Sequence, residues 1–126
     1  MRLPRLLLEE MMEHSRRELP RECLGLLLGS GCEARRVVPL RNVSRRPEVE
    51  YRADPRELLD VLRAADSTGL EVVAIYHSHP SGPAFPSATD REMAAWRTNY
   101  LIIDPSAVEV RAFKFPAGEE VELVVE

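Results

Sequence analysis

A chain of 126 residues, 44% hydrophobic and 30% charged, is long enough to bury one core and too short for a separate substrate domain. Its net charge of -4 argues against a dedicated nucleic-acid binder, which needs a concentrated basic surface. No apolar run approaches the roughly 20 residues that cross a bilayer, and Glu9 and Glu10 cut Leu6-Leu7-Leu8 short of a signal-peptide core, so a cytoplasmic protein with no membrane partner is expected.

From Leu3 to Leu19, Leu7, Leu8, Met11, Met12 and Leu19 recur at helical intervals and Pro20 follows as a stop, which predicts an amphipathic opening helix. His14 on it reads as a surface or satisfied core histidine. Cys23 to Gly29 is too short for a typical helix and is closed by Ser30-Gly31, which favours a buried strand with Glu22 at its start. Cys23 and Cys32 are too few for a disulfide framework and lack paired metal-ligand spacing, so both are expected as free thiols, Cys23 as a small buried filler. Strands are predicted for Ala34 to Arg41 and Glu48 to Arg52, with a loop between them. Arg35-Arg36 and Arg45-Arg46 read as solvated arginines.

Asp54 as N-cap and Pro55 at the first helical position open a second helix, whose apolar face is Leu58, Leu59, Val61, Leu62 and Ala65 and whose terminator is Gly69. Leu70 to Tyr76 reads as a strand, followed by a stiff loop containing Pro80, Gly82, Pro83 and Pro86. A third helix is predicted from Ser87, and strands from Asn99 to Ile103, Val108 to Phe115 and Val121 to Val125. There is no internal repeat or low-complexity segment. The order of elements predicts a single α/β domain spanning 1–126, a mixed β-sheet flanked by helices.

The densest chemistry runs from His77 to Asp90. Residues two apart on a strand point to one side, so His77 and His79 can grip one ion, and Asp90 can complete the set. Two imidazoles and one carboxylate leave a position for water, the arrangement of hydrolytic rather than structural zinc. Ser87-x-x-Asp90 also resembles a capping box, which by itself explains both residues structurally. Their place just after the two histidines gives them a second reading as polar groups of the same site. Glu22 alone would read as a salt bridge or solvated strand end. Because no carboxylate lies between the histidines, it is the best remote candidate for the base that activates the water, provided its strand lies beside the histidine strand. Ligand type alone leaves a two-histidine, one-carboxylate iron oxygenase open. A zinc deaminase is disfavoured, since the H-x-E and P-C-x-x-C signatures are missing.

Glu22, His77-x-His79-Pro80 and Ser87-x-x-Asp90 together resemble the JAMM, or MPN-plus, family of zinc isopeptidases. Pro20-x-Glu22-x-x-Gly25-Leu26-Leu27-Leu28-Gly29 is similar to that family's first strand, and Asn42, Tyr51 and Asp54-Pro55 resemble positions between the motifs. The resemblance implies a JAMM/MPN-like fold with one Zn2+ per chain held by His77, His79 and Asp90. It implies Glu22 as general base and then acid, and Ser87 as the group that steadies the tetrahedral intermediate. The short loop after Asp90 leaves little room for the insertions with which eukaryotic members grip ubiquitin, so the chain is similar to the compact stand-alone prokaryotic members. The substrate this implies is an adduct on the C-terminal Gly-Gly tail of a ubiquitin-like or sulfur-carrier protein. Two other readings stand beside it: a non-catalytic MPN-type scaffold module, and, from His79-Pro80-Ser81-Gly82, a RadC-like nucleic-acid-associated protein. The carrier, the leaving group, the sulfur-transfer pathway and the oligomeric state, a homodimer included, are left open by the sequence.

Overall fold

The computed structural model describes residues 1–94 and 96–126. In chain order its elements are β1 (Arg2–Leu3), α1 (Arg5–Glu18), β2 (Leu24–Ser30), β3 (Glu33–Leu40), α2 (Pro55–Thr68), β4 (Glu71–Ser78), α3 (Ala88–Met93), β5 (Asn99–Asp104), β6 (Glu109–Lys114), β7 (Glu119–Val121) and β8 (Val124–Val125). The strands form one mixed sheet in the order β7-β6-β5-β4-β2-β3-β1-β8. β2 is antiparallel to both β3 and β4, whereas β4 and β5 run parallel through the crossover that carries α3. Helices on both faces give the α/β sandwich that the element order predicts.

Strand alternation separates two apolar layers. Leu27, Val73, Tyr76, Leu101, Ile103 and Ala112 face α1, where Leu7, Met11 and Met12 meet them. Leu24, Leu26, Ile75, Ile102 and Phe113 face the opposite way, against Leu58, Val61, Leu62 and Ala65 of α2. Each fully buried aliphatic side chain contributes about 1.5–3 kcal/mol relative to exposure, so these layers dominate the stability of the sandwich. The expected caps of α2 are present: an Asp54 side-chain oxygen accepts the Arg56 N–H at 3.0 Å, Pro55 occupies the first turn, and Gly69 closes the helix at φ 74°.

Three element boundaries differ from expectation. The opening helix starts at Arg5 because Leu3 belongs to β1, which pairs in parallel with β8. Residues 48–52 do not form a strand. The Asn42 side chain takes the place of a neighbouring strand there, accepting from Arg52 N and donating to Glu50 O, and only the isolated bridge Asn42–Ala53 forms. The stretch from Val121 to Val125 is broken at Glu122-Leu123. Its halves lie on opposite edges of the sheet, which therefore curls until its edges are within about 11 Å of each other, the span of three Cα steps.

His14 is buried on α1, with Nδ1 2.8 Å from the Tyr76 hydroxyl of β4, and burial lowers its pKa. This bond locks the Tyr76 ring across Gly25, where a Cβ would collide with the ring. Gly25→Ala should therefore cost about 1–3 kcal/mol by overpacking, measured by urea denaturation of the purified protein.

Candidate metal centre

Leu24 of β2 pairs with His77 of β4. Continuing that antiparallel register sets Glu22 opposite His79, and strand alternation turns all of these side chains to the α2 face. α3 then delivers Asp90 from the side. Glu22, His77, His79 and Asp90 thus offer donor atoms within 4.8 Å of one another, and each of the four is largely buried. The structure brings together the three residues expected as ligands and the one expected as base.

Donor spacing is the decisive test of fit. His77 Nε2 lies 3.3 Å from His79 Nε2 and 3.2 Å from Asp90 Oδ1, and His79 Nε2 lies 2.9 Å from Asp90 Oδ2. Tetrahedral bonds of about 2.0–2.1 Å put donor atoms about 3.3 Å apart, so the triad fits an ion of zinc's size. The tautomer agrees. His79 Nδ1 lies 2.8 Å from the Pro83 carbonyl and donates to it, leaving Nε2 of the neutral ring as an acceptor that faces a carboxylate oxygen. Two acceptors at that distance need positive charge between them, either a second proton or a metal ion.

The electrostatics carry the same mark. Burial lowers the His77 pKa, partly countered by Asp90. Burial also acts to lower that of His79, but hydrogen bonding to Asp90 and to the Pro83 carbonyl raises it overall. For Asp90, burial is outweighed by hydrogen bonds from both imidazoles, which hold the carboxyl far below the usual carboxylate range. Burial pushes the Glu22 carboxyl up to about 8, against the pull of His79 and with further upward pushes from Asp90 and Glu50. Glu22 Oε1, His77 Nδ1 and the Tyr51 hydroxyl are buried with no hydrogen-bond partner among the described residues.

Ser87 stands at the N-cap of α3. Its Oγ accepts the Asp90 N–H at 3.0 Å and its own N–H donates to Asp90 Oδ2 at 2.9 Å, so the expected capping box orients the carboxylate. With Oγ serving as an acceptor, the exposed Ser87 hydroxyl keeps its proton for another partner. Sequence reasoning marked Tyr51 as resembling a family position but gave no role to the supports around the triad. The Tyr51 ring stacks on His77 at 4.3 Å between centroids. Asp104, bonded through Oδ1 to Ser106 and Ala107, lies against Gly82 under the loop that presents the Pro83 carbonyl to His79. The signal for that support was Gly82 itself, which combines φ 59° with no room for a Cβ beside Asp104. Gly82→Ala should displace the Pro83 carbonyl and weaken metal binding by about 10- to 100-fold, read by competition with a chromogenic chelator.

The chain matches the family of prokaryotic homologs of the JAB domain over residues 4–116. It is 50% identical over 123 residues to a probable TtuB-protein conjugate cleaving protease of Thermus thermophilus, covering 98% of this chain and 81% of that one. It is 38% identical over 125 residues to a desampylase of Haloferax volcanii, covering 93% and 88%. A solved structure of a protein from Desulfitobacterium hafniense superposes with a TM-score of 0.87 at 34% identity, covering 99% of this chain and 92% of that one. With the motif, the sandwich and the clustered quartet all in place, the chain belongs to the prokaryotic JAB-domain family and is a peptidase of the stand-alone JAMM type.

Proposed function

We propose that the protein is a zinc-dependent isopeptidase that hydrolyses the amide bond after the C-terminal Gly-Gly of a ubiquitin-like or sulfur-carrier protein, in the cytoplasm. The observation that carries this reading is the convergence of Glu22 on a two-histidine, one-aspartate triad whose donor atoms are 2.9–3.3 Å apart. The names of the relatives, a protease of TtuB-protein conjugates and a desampylase, support a small protein modifier as the substrate. A cytoplasmic location suits the exposed free thiol of Cys32.

His77, His79 and Asp90 hold one Zn2+. When bound, the ion supplies Lewis acidity that polarises the scissile carbonyl and eases deprotonation of the attacking water. Glu22 takes the proton from that water and passes it to the leaving amine as the C–N bond breaks. Its buried, unpartnered Oε1 suits this task, because a carboxylate poorly solvated in the ground state is a stronger base. The free Ser87 O–H donates to the oxyanion as it develops. A scaffold module needs no such quartet, and here every member of the motif is present.

The way in is an open cleft of about 240 Å³, lined by Glu22, Glu48, Val49, His79, Ser81 and Ser87. A diglycine segment suits it because residues without side chains can lie close to the ligands. Strand addition to the central sheet does not account for tail binding, since β2 and β4 are interior strands and the sheet edges are β7 and β8. Segments 42–52 and 79–87, which wall the cleft, take that part.

Sulfur-carrier proteins with C-terminal amino-acid extensions, mixed with the zinc-loaded enzyme, should be cut after Gly-Gly by intact mass, with loss of cleavage on chelation and recovery with zinc. Glu22→Gln should retain stoichiometric metal while turnover falls by about 100-fold or more, and His77→Ala should lose both metal and activity. Ser87→Ala should lower kcat by about 100- to 1,000-fold with little change in KM, checked by steady-state kinetics on the same conjugate.

A further inference from the structure

Asn42 makes no hydrogen bond to His77, His79 or Asp90 among the described residues, yet it organises the wall opposite them. It is 3% exposed. Its Nδ2 donates to the Glu22 carbonyl at 3.0 Å and to the Glu50 carbonyl at 2.9 Å, with the Pro47 carbonyl farther off at 3.5 Å. Its Oδ1 accepts the Ser44 and Arg52 N–H groups, each at 3.0 Å. One buried amide thereby bonds to three points of the segment 44–52 and to the backbone of Glu22.

The other contacts of this region close the frame. Glu22 N donates to the Pro47 carbonyl at 2.7 Å, and Arg21 Nη2 donates to the Asn42 carbonyl at 2.7 Å. The backbone of Glu22 is thus held on both sides, N–H by the segment that Asn42 folds and C=O by Asn42 itself. Glu22 Oε1 has no such support, being buried without a hydrogen-bond partner among the described residues, so its aim is set by the backbone beneath it. His77, His79 and Asp90 take their positions from β4, the 79–83 loop and α3, whereas the hydrogen bonds of the Asn42 side chain among the described residues go to Glu22 and the segment 44–52.

We propose that Asn42 is a positioning residue for the proton-carrying carboxylate of Glu22, acting through the Glu22 backbone and separable from metal binding. This rests on the reading of Glu22 as base and acid. During amide cleavage the water proton goes to Glu22 and then to the leaving nitrogen. A thioester breaks its C–S bond with a leaving thiolate that needs no such proton. Both substrates need Glu22 to take the water proton, but only the amide needs it returned to the leaving group, so misplacing Glu22 harms amide cleavage more than thioester cleavage, whereas general loosening of the fold lowers both alike.

The test compares wild type, Asn42→Ala and Glu22→Gln on one sulfur-carrier protein, prepared with an amino acid amide-linked after Gly-Gly and as the matching thioester. Zinc content and thermal midpoint are recorded for each. Asn42→Ala should keep stoichiometric zinc and lose about 10- to 100-fold in kcat on the amide and a several-fold smaller factor on the thioester, with Glu22→Gln impaired on both substrates and more severely on the amide. If Asn42→Ala does not fold, Asn42→Ser carries the same expectation. Equal losses on both substrates, no loss, or lost zinc in the folded Asn42 variant would overturn the inference while leaving the base assignment intact, provided Glu22→Gln is impaired. Full amide activity in Glu22→Gln would instead sink the base assignment itself.

Discussion

The site depends on one strand register, the antiparallel pairing of Leu24 with His77. A slip of one residue between β2 and β4 would turn the Glu22 carboxylate to the α1 side of the sheet while the imidazoles kept their places. Apolar packing prevents that slip. Leu24, Leu26 and Ile75 belong to the α2 layer, Leu27 and Tyr76 to the α1 layer, and any shift would exchange them. The bulge between Leu27 and Leu28 lies toward the far end of the pair, so the stretch nearest the site runs in regular register. Chemistry and core stability are enforced by the same alternation.

Around this register the molecule gathers four titratable side chains in a space from which water is largely withdrawn. Two imidazoles and two carboxylates so placed satisfy one another only in part: His79 and Asp90 share charge, while an oxygen of Glu22 has no partner among the described residues. Such groups are costly to bury in a fold that needs them only for stability. Their supports point the same way. The Pro83 carbonyl selects the His79 tautomer, the Ser87 cap fixes Asp90, and the Tyr51 ring covers His77. Each support acts on a different residue of the quartet, so the cluster is held from several sides by elements distant in sequence.

Much of this was legible in the chain. The helix 55–68 was readable because its stop and start signals are local: Asp54, Pro55 and Gly69 act within one turn of themselves. His77, His79 and Asp90 were readable because strand alternation and a helix cap constrain neighbours in sequence. The partnership of Glu22 with them followed from placing its strand beside the histidine strand, an inference about tertiary pairing that the family resemblance reinforced. Where a side chain replaced backbone pairing, the reading failed. Residues 48–52 have the composition of a strand, but Asn42 takes up the hydrogen bonds that a neighbouring strand would use. β1 and β8 are two residues each, too short to leave a periodic trace, and they exist through pairing with each other and, for β1, with β3.

The curl of the sheet has a consequence for how the protein behaves in a crowded solution. Its two borders are formed by strands of only three and two residues, and the chain passes directly from one border to the other. A long row of unpaired amides at a sheet border is the template on which strangers polymerise. Borders this short leave few such amides on offer, and the strands that carry the reactive groups, β2 and β4, lie inside the sheet, away from either border.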